Sequence, residues 1–172
     1  MTGAPRLLLL NGLPGVGKSL LARHHVRGSP GTLCLDPALL HGWIGGDPDD
    51  HDDHGDHGDL AHAESVRTLW LAMATAHLAG GHDVVVPQLV SEAELVLRVA
   101  EAARAGGGRL VHVVLAGTAV EARVPDEALA RLVADAEGLA VVCRMPGVHL
   151  LHVPGDDVTE VHPRLLQLLD AG

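Results

Sequence analysis

The chain has 172 residues, 47% hydrophobic and 20% charged, which is enough for one domain with a buried core and too apolar for a disordered chain. Its formal net charge of −10, with no Phe or Tyr and two Trp, argues against a nucleic-acid-binding protein, because such proteins present basic faces and aromatic platforms. No run approaches the ~20 apolar residues that span a bilayer, no secretory signal pattern opens the chain, and two cysteines cannot form a disulfide framework. We therefore expect a cytoplasmic protein without membrane or nucleic-acid partners; its oligomeric state is left open.

Short apolar runs alternate with helical patterns along the chain. The runs predict buried strands over Arg6–Leu10, Thr32–Leu35, Asp83–Val86, Arg109–Leu115 and Val148–Val153. Helices are predicted over Lys18–Val26, Pro37–Trp43, Leu60–Leu78, from a cap at Ser91 to Ala105, over Pro125–Val142 and over Thr159–Leu169. Ser91 is expected to cap its helix, with Glu94 reaching back to it. The alternation predicts one α/β domain over residues 1–172, with a parallel sheet covered by helices on both faces.

A glycine-rich segment joins the first strand to the first helix. Residues 12–19 read Gly-Leu-Pro-Gly-Val-Gly-Lys-Ser, which matches the phosphate-binding pattern G-x-x-x-x-G-K-S in its required strand-to-helix context. Glycines allow backbone N–H groups to turn towards a phosphate, and the helix N-terminus adds the positive end of its dipole. Lys18, the single lysine of the chain, would reach the β- and γ-phosphates, and the Ser19 hydroxyl would ligate Mg²⁺.

This segment predicts a nucleotide-binding site. The residues expected to contact the nucleotide are Gly12, Pro14, Gly15, Val16, Gly17, Lys18, Ser19 and Leu20, with Ser19 also the expected metal ligand.

Three segments give the chain a family resemblance: LLLLNGLPGVGKSLLARHH near the N-terminus, then LCLDPALL, then HLAGGHDVVVPQLV. They resemble the small P-loop kinases, a group that includes chloramphenicol phosphotransferase, zeta toxins and the zeta-toxin-like AAA-type kinases of high-GC bacteria. The resemblance implies a nucleoside-kinase-like, three-layer α/β fold with a five-stranded parallel sheet in the order 2-3-1-4-5. It also implies transfer of a phosphoryl group from ATP, with Mg²⁺, to a hydroxyl of a small-molecule acceptor, such as an antibiotic or a sugar-like metabolite.

In such kinases the second strand ends in an aspartate that faces the acceptor hydroxyl, and Asp36 stands at that place. The resemblance therefore implies that Asp36 accepts the hydroxyl proton during transfer. The sequence also allows Asp36 to cap the helix that begins at Pro37, and the two roles are compatible.

The segments that follow the third and fourth strands depart from the kinase pattern. The third strand runs into Pro87 and Gln88, where many P-loop proteins place an aspartate that holds the water shell of Mg²⁺. The lid that follows the fourth strand, at about residues 117–125, is short. Arg123 is the candidate lid arginine, which would stabilise the transferring phosphoryl group; the alternative is a solvated surface charge.

A third departure is the flexible Asp/His-rich loop predicted at about residues 45–59, GGDPDDHDDHGDHGD, which lies where these kinases form part of the acceptor site. Three interpretations stay open: a solvated acidic loop, an electrostatic gate that favours a cationic acceptor, and a site for Zn²⁺, Ni²⁺ or Cu²⁺. Three alternatives to a kinase stay open: a nucleotide-binding module that transfers no phosphate, an ATPase or GTPase switch, and a nucleotide-powered metal-binding role carried by the Asp/His-rich loop. The chain has no N-K-x-D guanine signature, which argues against a GTPase.

Overall fold

The computed structural model describes residues 3–44, 57–117, 126–153 and 157–170. The strands are β1 Arg6–Asn11, β2 Leu33–Cys34, β3 Val84–Pro87, β4 Arg109–Ala116 and β5 Val148–His152. The helices are α1 Lys18–Arg27, α2 Pro37–Leu40, α3 His57–Ala79, α4 Ala93–Ala105, α5 Asp126–Val142 and α6 His162–Asp170, with a 3₁₀ turn over Val158–Val161. The strands form one parallel sheet in the order β2-β3-β1-β4-β5, which confirms the fold class and the strand order.

The central strand β1 is buried on both faces and divides the core in two. Leu7 and Leu9 face one half, which α3, α4 and the end of α5 complete around the buried Trp70. Leu8 and Leu10 face the other half, which α1 and α6 complete. Alternate side chains of a strand point to opposite faces, so an unbroken apolar run is what a strand between two helical layers requires.

Several boundaries differ from the predicted ones. β2 has two residues rather than four, although the Leu35 N–H still donates to the Val85 carbonyl at 2.9 Å before the chain turns into α2. α2 ends at Leu40 rather than Trp43. α3 begins at His57, three residues before the predicted start, so the end of the Asp/His-rich segment is helical; residues 45–56 lie outside the described part.

The predicted cap at Ser91 is wrong. Glu92 is the residue that precedes α4, and no side chain caps the helix there. The Ser91 hydroxyl instead donates to Asp135 of α5 at 3.0 Å, and Glu92 pairs with Arg67 of α3 at 2.7 Å. Contacts with neighbouring helices therefore outweigh the local capping pattern, because they use the same polar atoms.

An ion pair ties β1 to β3 at the amino ends of the strands, away from the glycine-rich loop. Asp83 accepts from the Arg6 backbone N–H at 2.7 Å and from two guanidinium nitrogens at 2.7 and 3.0 Å. The remaining guanidinium nitrogen donates to the Leu169 carbonyl of α6 at 3.2 Å. Among the helices in the described ranges, none is long and apolar enough to cross a membrane.

Candidate functional site

The glycine-rich loop lies at the carboxyl end of the central strand β1 and leads into α1. Gly12, Gly15 and Gly17 have φ angles of 140°, 83° and 92°, which L-residues with side chains rarely adopt. A Cβ on Gly12 would also stand 2.7 Å from the Leu115 carbonyl oxygen of β4. The loop therefore requires glycine at these positions, as a turn of backbone N–H groups around a phosphate does.

Lys18, the first residue of α1, folds back over the loop. Its Nζ donates to the carbonyl oxygens of Gly12 at 2.8 Å and of Leu13 at 2.9 Å. Burial lowers the pKa of this ammonium group, and the nearby carboxylate of Asp36 acts in the opposite direction. The charge of Lys18 is thus held at the start of the loop, where partial desolvation strengthens its attraction for an anion.

Asp36 joins the loop helix to the second strand. The Ser19 hydroxyl donates to its Oδ2 at 2.9 Å, and its Oδ1 accepts from the Ala38 N–H at 3.2 Å. Asp36 therefore caps α2, as one of its two predicted roles requires, and also contacts the phosphate-loop serine. The hydroxyl and carboxylate oxygens are ligands of the type that Mg²⁺ prefers, so the residues present fit that ion.

The remaining predicted residues occupy different environments. Pro14 and Leu20 are exposed, whereas Val16 is buried against the α1–α6 half of the core. Arg123 lies outside the described residues, as do positions 118–125 of the predicted lid. Within the described ranges, no cluster of three or more His, Cys, Asp or Glu side chains is arranged to hold a metal ion.

An apolar cavity of about 260 Å³ lies on the α5 side of the loop. Leu13 and Val16 of the loop, the end of β4 and three residues of α5, Leu139 among them, line it, together with Cys143 just after α5 and Leu150 of β5. Its walls offer no charged side chain to a phosphate. The polar groups of the site are therefore those of Lys18, Ser19, Asp36 and the loop backbone.

Sequence reasoning missed two polar side chains beside the loop. It treated Asn11 as part of an Asn-Gly turn, whereas Asn11 is the last residue of β1 and is completely buried. His112 of β4 is also buried, 2% exposed, and its Nε2 lies 3.1 Å from Nδ2 of Asn11. The sequence did offer a signal for Asn11, because it is a polar residue next to the first glycine of the motif. It offered no signal for His112, which stands within an apolar run.

Solved structures share this fold over nearly the whole chain. The Mycobacterium tuberculosis APS kinase CysC, in complex with AMPPNP and APS, aligns with a TM-score of 0.60 and 18% identity, covering 97% of this chain and 98% of that one. A Sinorhizobium meliloti gluconokinase aligns with a TM-score of 0.56 and 17% identity, covering 98% of this chain and 93% of that one. The Deinococcus radiodurans tunicamycin resistance protein aligns with a TM-score of 0.59 and 15% identity, covering 96% of this chain and 95% of that one.

At these identities the likeness shows that the chain has the fold of the P-loop kinases. A search of curated proteins found no match. The family model of the AAA domain AAA_33 matches residues 7–137, which include all of β1 but its first residue, the glycine-rich loop, Asp36 and β4. The chain therefore belongs to the AAA_33 family of AAA domains.

Proposed function

We propose that the chain is a P-loop kinase that transfers a phosphoryl group from ATP, with Mg²⁺, to a hydroxyl group of a small molecule. The observation that carries the proposal is the contact of 2.9 Å between the Ser19 hydroxyl and the Asp36 carboxylate, next to Lys18 on the glycine loop. The names of two structural neighbours, an APS kinase and a gluconokinase, support a small acceptor, and the first was solved with AMPPNP. The resemblance to zeta-toxin-like and chloramphenicol-phosphotransferase-like kinases belongs to the same proposal.

Lys18 would exchange its two carbonyl partners for phosphate oxygens. Its ammonium group already lies at the loop, so binding an anion would replace its hydrogen bonds of 2.8 and 2.9 Å to the uncharged carbonyls of Gly12 and Leu13 with hydrogen bonds to negatively charged phosphate oxygens. The new hydrogen bonds join opposite charges, whereas the carbonyl oxygens carry no net charge, so the exchange is electrostatically favourable. The residue would therefore hold the phosphoryl group during transfer.

Ser19 would ligate the metal ion, and Asp36 would accept the proton of the acceptor hydroxyl. The Ser19 proton points to Asp36, which leaves the hydroxyl lone pairs free for a cation. Mg²⁺, when bound there, neutralises charge on the phosphates. Asp36 uses two of its roughly four acceptor positions on Ser19 and Ala38, so it keeps capacity to accept the proton of an acceptor hydroxyl.

Nucleotide binding without phosphoryl transfer is the second candidate, and the end of β3 favours it. Pro87 lies in register with Leu10 of β1, and the Gln88 N–H donates to the Leu10 carbonyl at 3.1 Å. The side chain that follows this strand is an amide and so supplies no negative charge for a Mg²⁺ water shell.

The test combines ATP binding with product detection. Wild-type protein with Mg²⁺ and ATP is incubated with a pool of hydroxyl-bearing metabolites and antibiotics, and ³¹P NMR follows ATP loss and new phosphoester signals. Lys18→Ala should lose both nucleotide binding and transfer. Asp36→Asn should keep ATP affinity and abolish transfer, because asparagine still caps α2 but does not accept the proton.

Asp83→Asn is the matched control, since it removes a carboxylate at the amino ends of the strands, away from the glycine-rich loop. Transfer by Asp36→Asn at the wild-type rate would refute the role of Asp36 as base. ATP binding by Lys18→Ala as tight as that of the wild type would refute the nucleotide site itself. Bound ATP that persists with every acceptor would favour the second candidate.

A further inference from the structure

The buried amide of Asn11 is saturated with hydrogen bonds. Its Oδ1 accepts from the Gly12 N–H at 2.7 Å and from the Val90 N–H at 2.9 Å. Its Nδ2 donates to the Val90 carbonyl at 2.8 Å and lies 3.1 Å from Nε2 of His112. An amide has two acceptor positions and two donor hydrogens, and here all four are used.

This saturation fixes the orientation of both side chains. Rotating the Asn11 amide by 180° would bring its NH₂ group against two backbone N–H donors, so Oδ1 must face Gly12 and Val90. Nδ2 then donates to His112, whose Nε2 must be an unprotonated acceptor. Burial, with a smaller contribution from His149, lowers the pKa of His112 to about 4, in keeping with a neutral ring.

The neutral ring carries its proton on Nδ1, and that atom is buried without a hydrogen-bond partner in the described part of the chain. The strand neighbours Val111 and Val113 are buried and apolar, so an aliphatic residue would be the ordinary occupant of this position. The unpaired Nδ1 of the imidazole thus lowers the stability of the fold, and the ring makes one side-chain hydrogen bond in exchange, from Asn11 to Nε2. That imbalance is typical of a position shaped by function rather than by packing.

The contacts of Asn11 converge on Gly12, the first residue of the phosphate loop. The Gly12 N–H is bound by Asn11, while the Gly12 carbonyl accepts from the Lys18 ammonium at 2.8 Å. These two peptide groups are joined only through the Cα of Gly12, whose φ angle is 140°. A change at Asn11 would therefore rotate the carbonyl that holds Lys18. Through Val90 the same amide ties the loop to the segment that follows β3.

We propose that Asn11 and His112 are positioning residues of the phosphate loop, with His112 orienting the Asn11 amide and Asn11 holding Gly12 and hence Lys18 for the nucleotide. The proposal rests on the proposed nucleotide binding at this loop. His112 acts through Asn11, and Asn11 acts through Gly12, so neither residue needs to touch the phosphates.

The test compares two substitutions at His112. His112→Leu fills the strand position and removes the acceptor, so the Kd for ATP should rise about three- to ten-fold, the factor for one neutral hydrogen bond, without a lower thermal midpoint. His112→Gln should restore the affinity, because its amide oxygen can accept from Asn11. His149→Gln, on the neighbouring strand, is the matched control and should bind ATP as the wild type does.

A double-mutant cycle supplies the second readout. Because His112 acts through Asn11, the Kd of Asn11→Ala combined with His112→Leu should equal that of Asn11→Ala alone. In nucleotide-free protein, hydrogen exchange followed by NMR should show faster exchange of the Gly12 and Val90 amides in His112→Leu, with recovery in His112→Gln. If Asn11→Ala does not fold, the two His112 variants decide the question alone.

Wild-type ATP affinity together with unchanged Gly12 exchange in His112→Leu would overturn the proposal, as would failure of His112→Gln to restore either. A merely structural role for His112 would lower the thermal midpoint and leave the Kd unchanged. If the wild type binds no ATP but the exchange rates change as expected, nucleotide binding fails as a function while the positioning of Gly12 stands.

Discussion

Replacing Gly138 of α5 with alanine should destabilise the protein, although alanine is the better helix former. A Cβ at this position would lie 2.5 Å from the Ser91 carbonyl oxygen and 2.9 Å from the Ser91 Cβ. Both atoms belong to or adjoin the backbone of the segment before α4, so no side chain can rotate away and α5 itself must shift. The helix propensity of alanine contributes about 1 kcal/mol, whereas overpacking of this kind costs about 1–3 kcal/mol.

With a backbone contact this short the cost falls in the upper part of that range, and a net loss of about 1–2 kcal/mol is expected. For a domain of this size 1 kcal/mol lowers the melting temperature by about 2–4 °C. The assay is urea denaturation of Gly138→Ala beside Ala134→Gly, an exposed position in the same helix that should lose about 1 kcal/mol. If Gly138→Ala is as stable as the wild type while Ala134→Gly loses stability, then α5 does not pack on Ser91 and the reasoning is wrong.

Three further outcomes are expected. The pKa of His112 falls from 6.5 to about 4 on folding, so its neutral form contributes stability that is present above about pH 6.5 and is lost as pH falls towards 4. The full loss in the free energy of unfolding is about 3 kcal/mol. Urea denaturation at several pH values should show that this free energy falls less steeply with acid in His112→Leu than in the wild type, and an equal slope would contradict the prediction. Asp83→Asn should cost at most about 1 kcal/mol, because its ion pair with Arg6 is partly exposed, and the loss should shrink in high salt; a loss unaffected by salt would argue against a charge effect. Gly12→Ala should lose ATP binding in titration calorimetry, since φ is 140° and its Cβ would meet the Leu115 carbonyl at 2.7 Å; binding as in the wild type would exclude a tight loop there.

The sequence predicts the phosphate loop well because its constraints are local. Gly12, Gly15 and Gly17 stand between a strand and a helix, and all three adopt positive φ, as the pattern of the turn predicts; the phosphate chemistry of the motif stays a prediction. The strands follow from apolar runs, since β1 is buried on both faces. Their spatial order required the family resemblance, because periodicity says nothing about which strands are neighbours.

Residues whose roles depend on distant partners could not be predicted in this way. Asn11 contacts Val90 and His112, which lie 79 and 101 positions further along the chain. Ser91 has a strong local capping pattern, yet it binds Asp135, 44 positions away. In each case a polar atom has a local and a distant option, and packing between elements decides which is used.

The position of Asp36 follows from the sheet order. β3 lies between β2 and β1, so the carboxylate that follows β2 must reach past the end of β3 to meet Ser19 in the first turn of α1. A second carboxylate at the end of β3 would place like charges side by side in a partly buried region, which is unfavourable. The residue after β3 is the uncharged Gln88, and the charge of Asp36 favours the ammonium form of Lys18. The amide that departs from the kinase pattern is therefore compatible with a single carboxylate that serves Ser19 and α2 together.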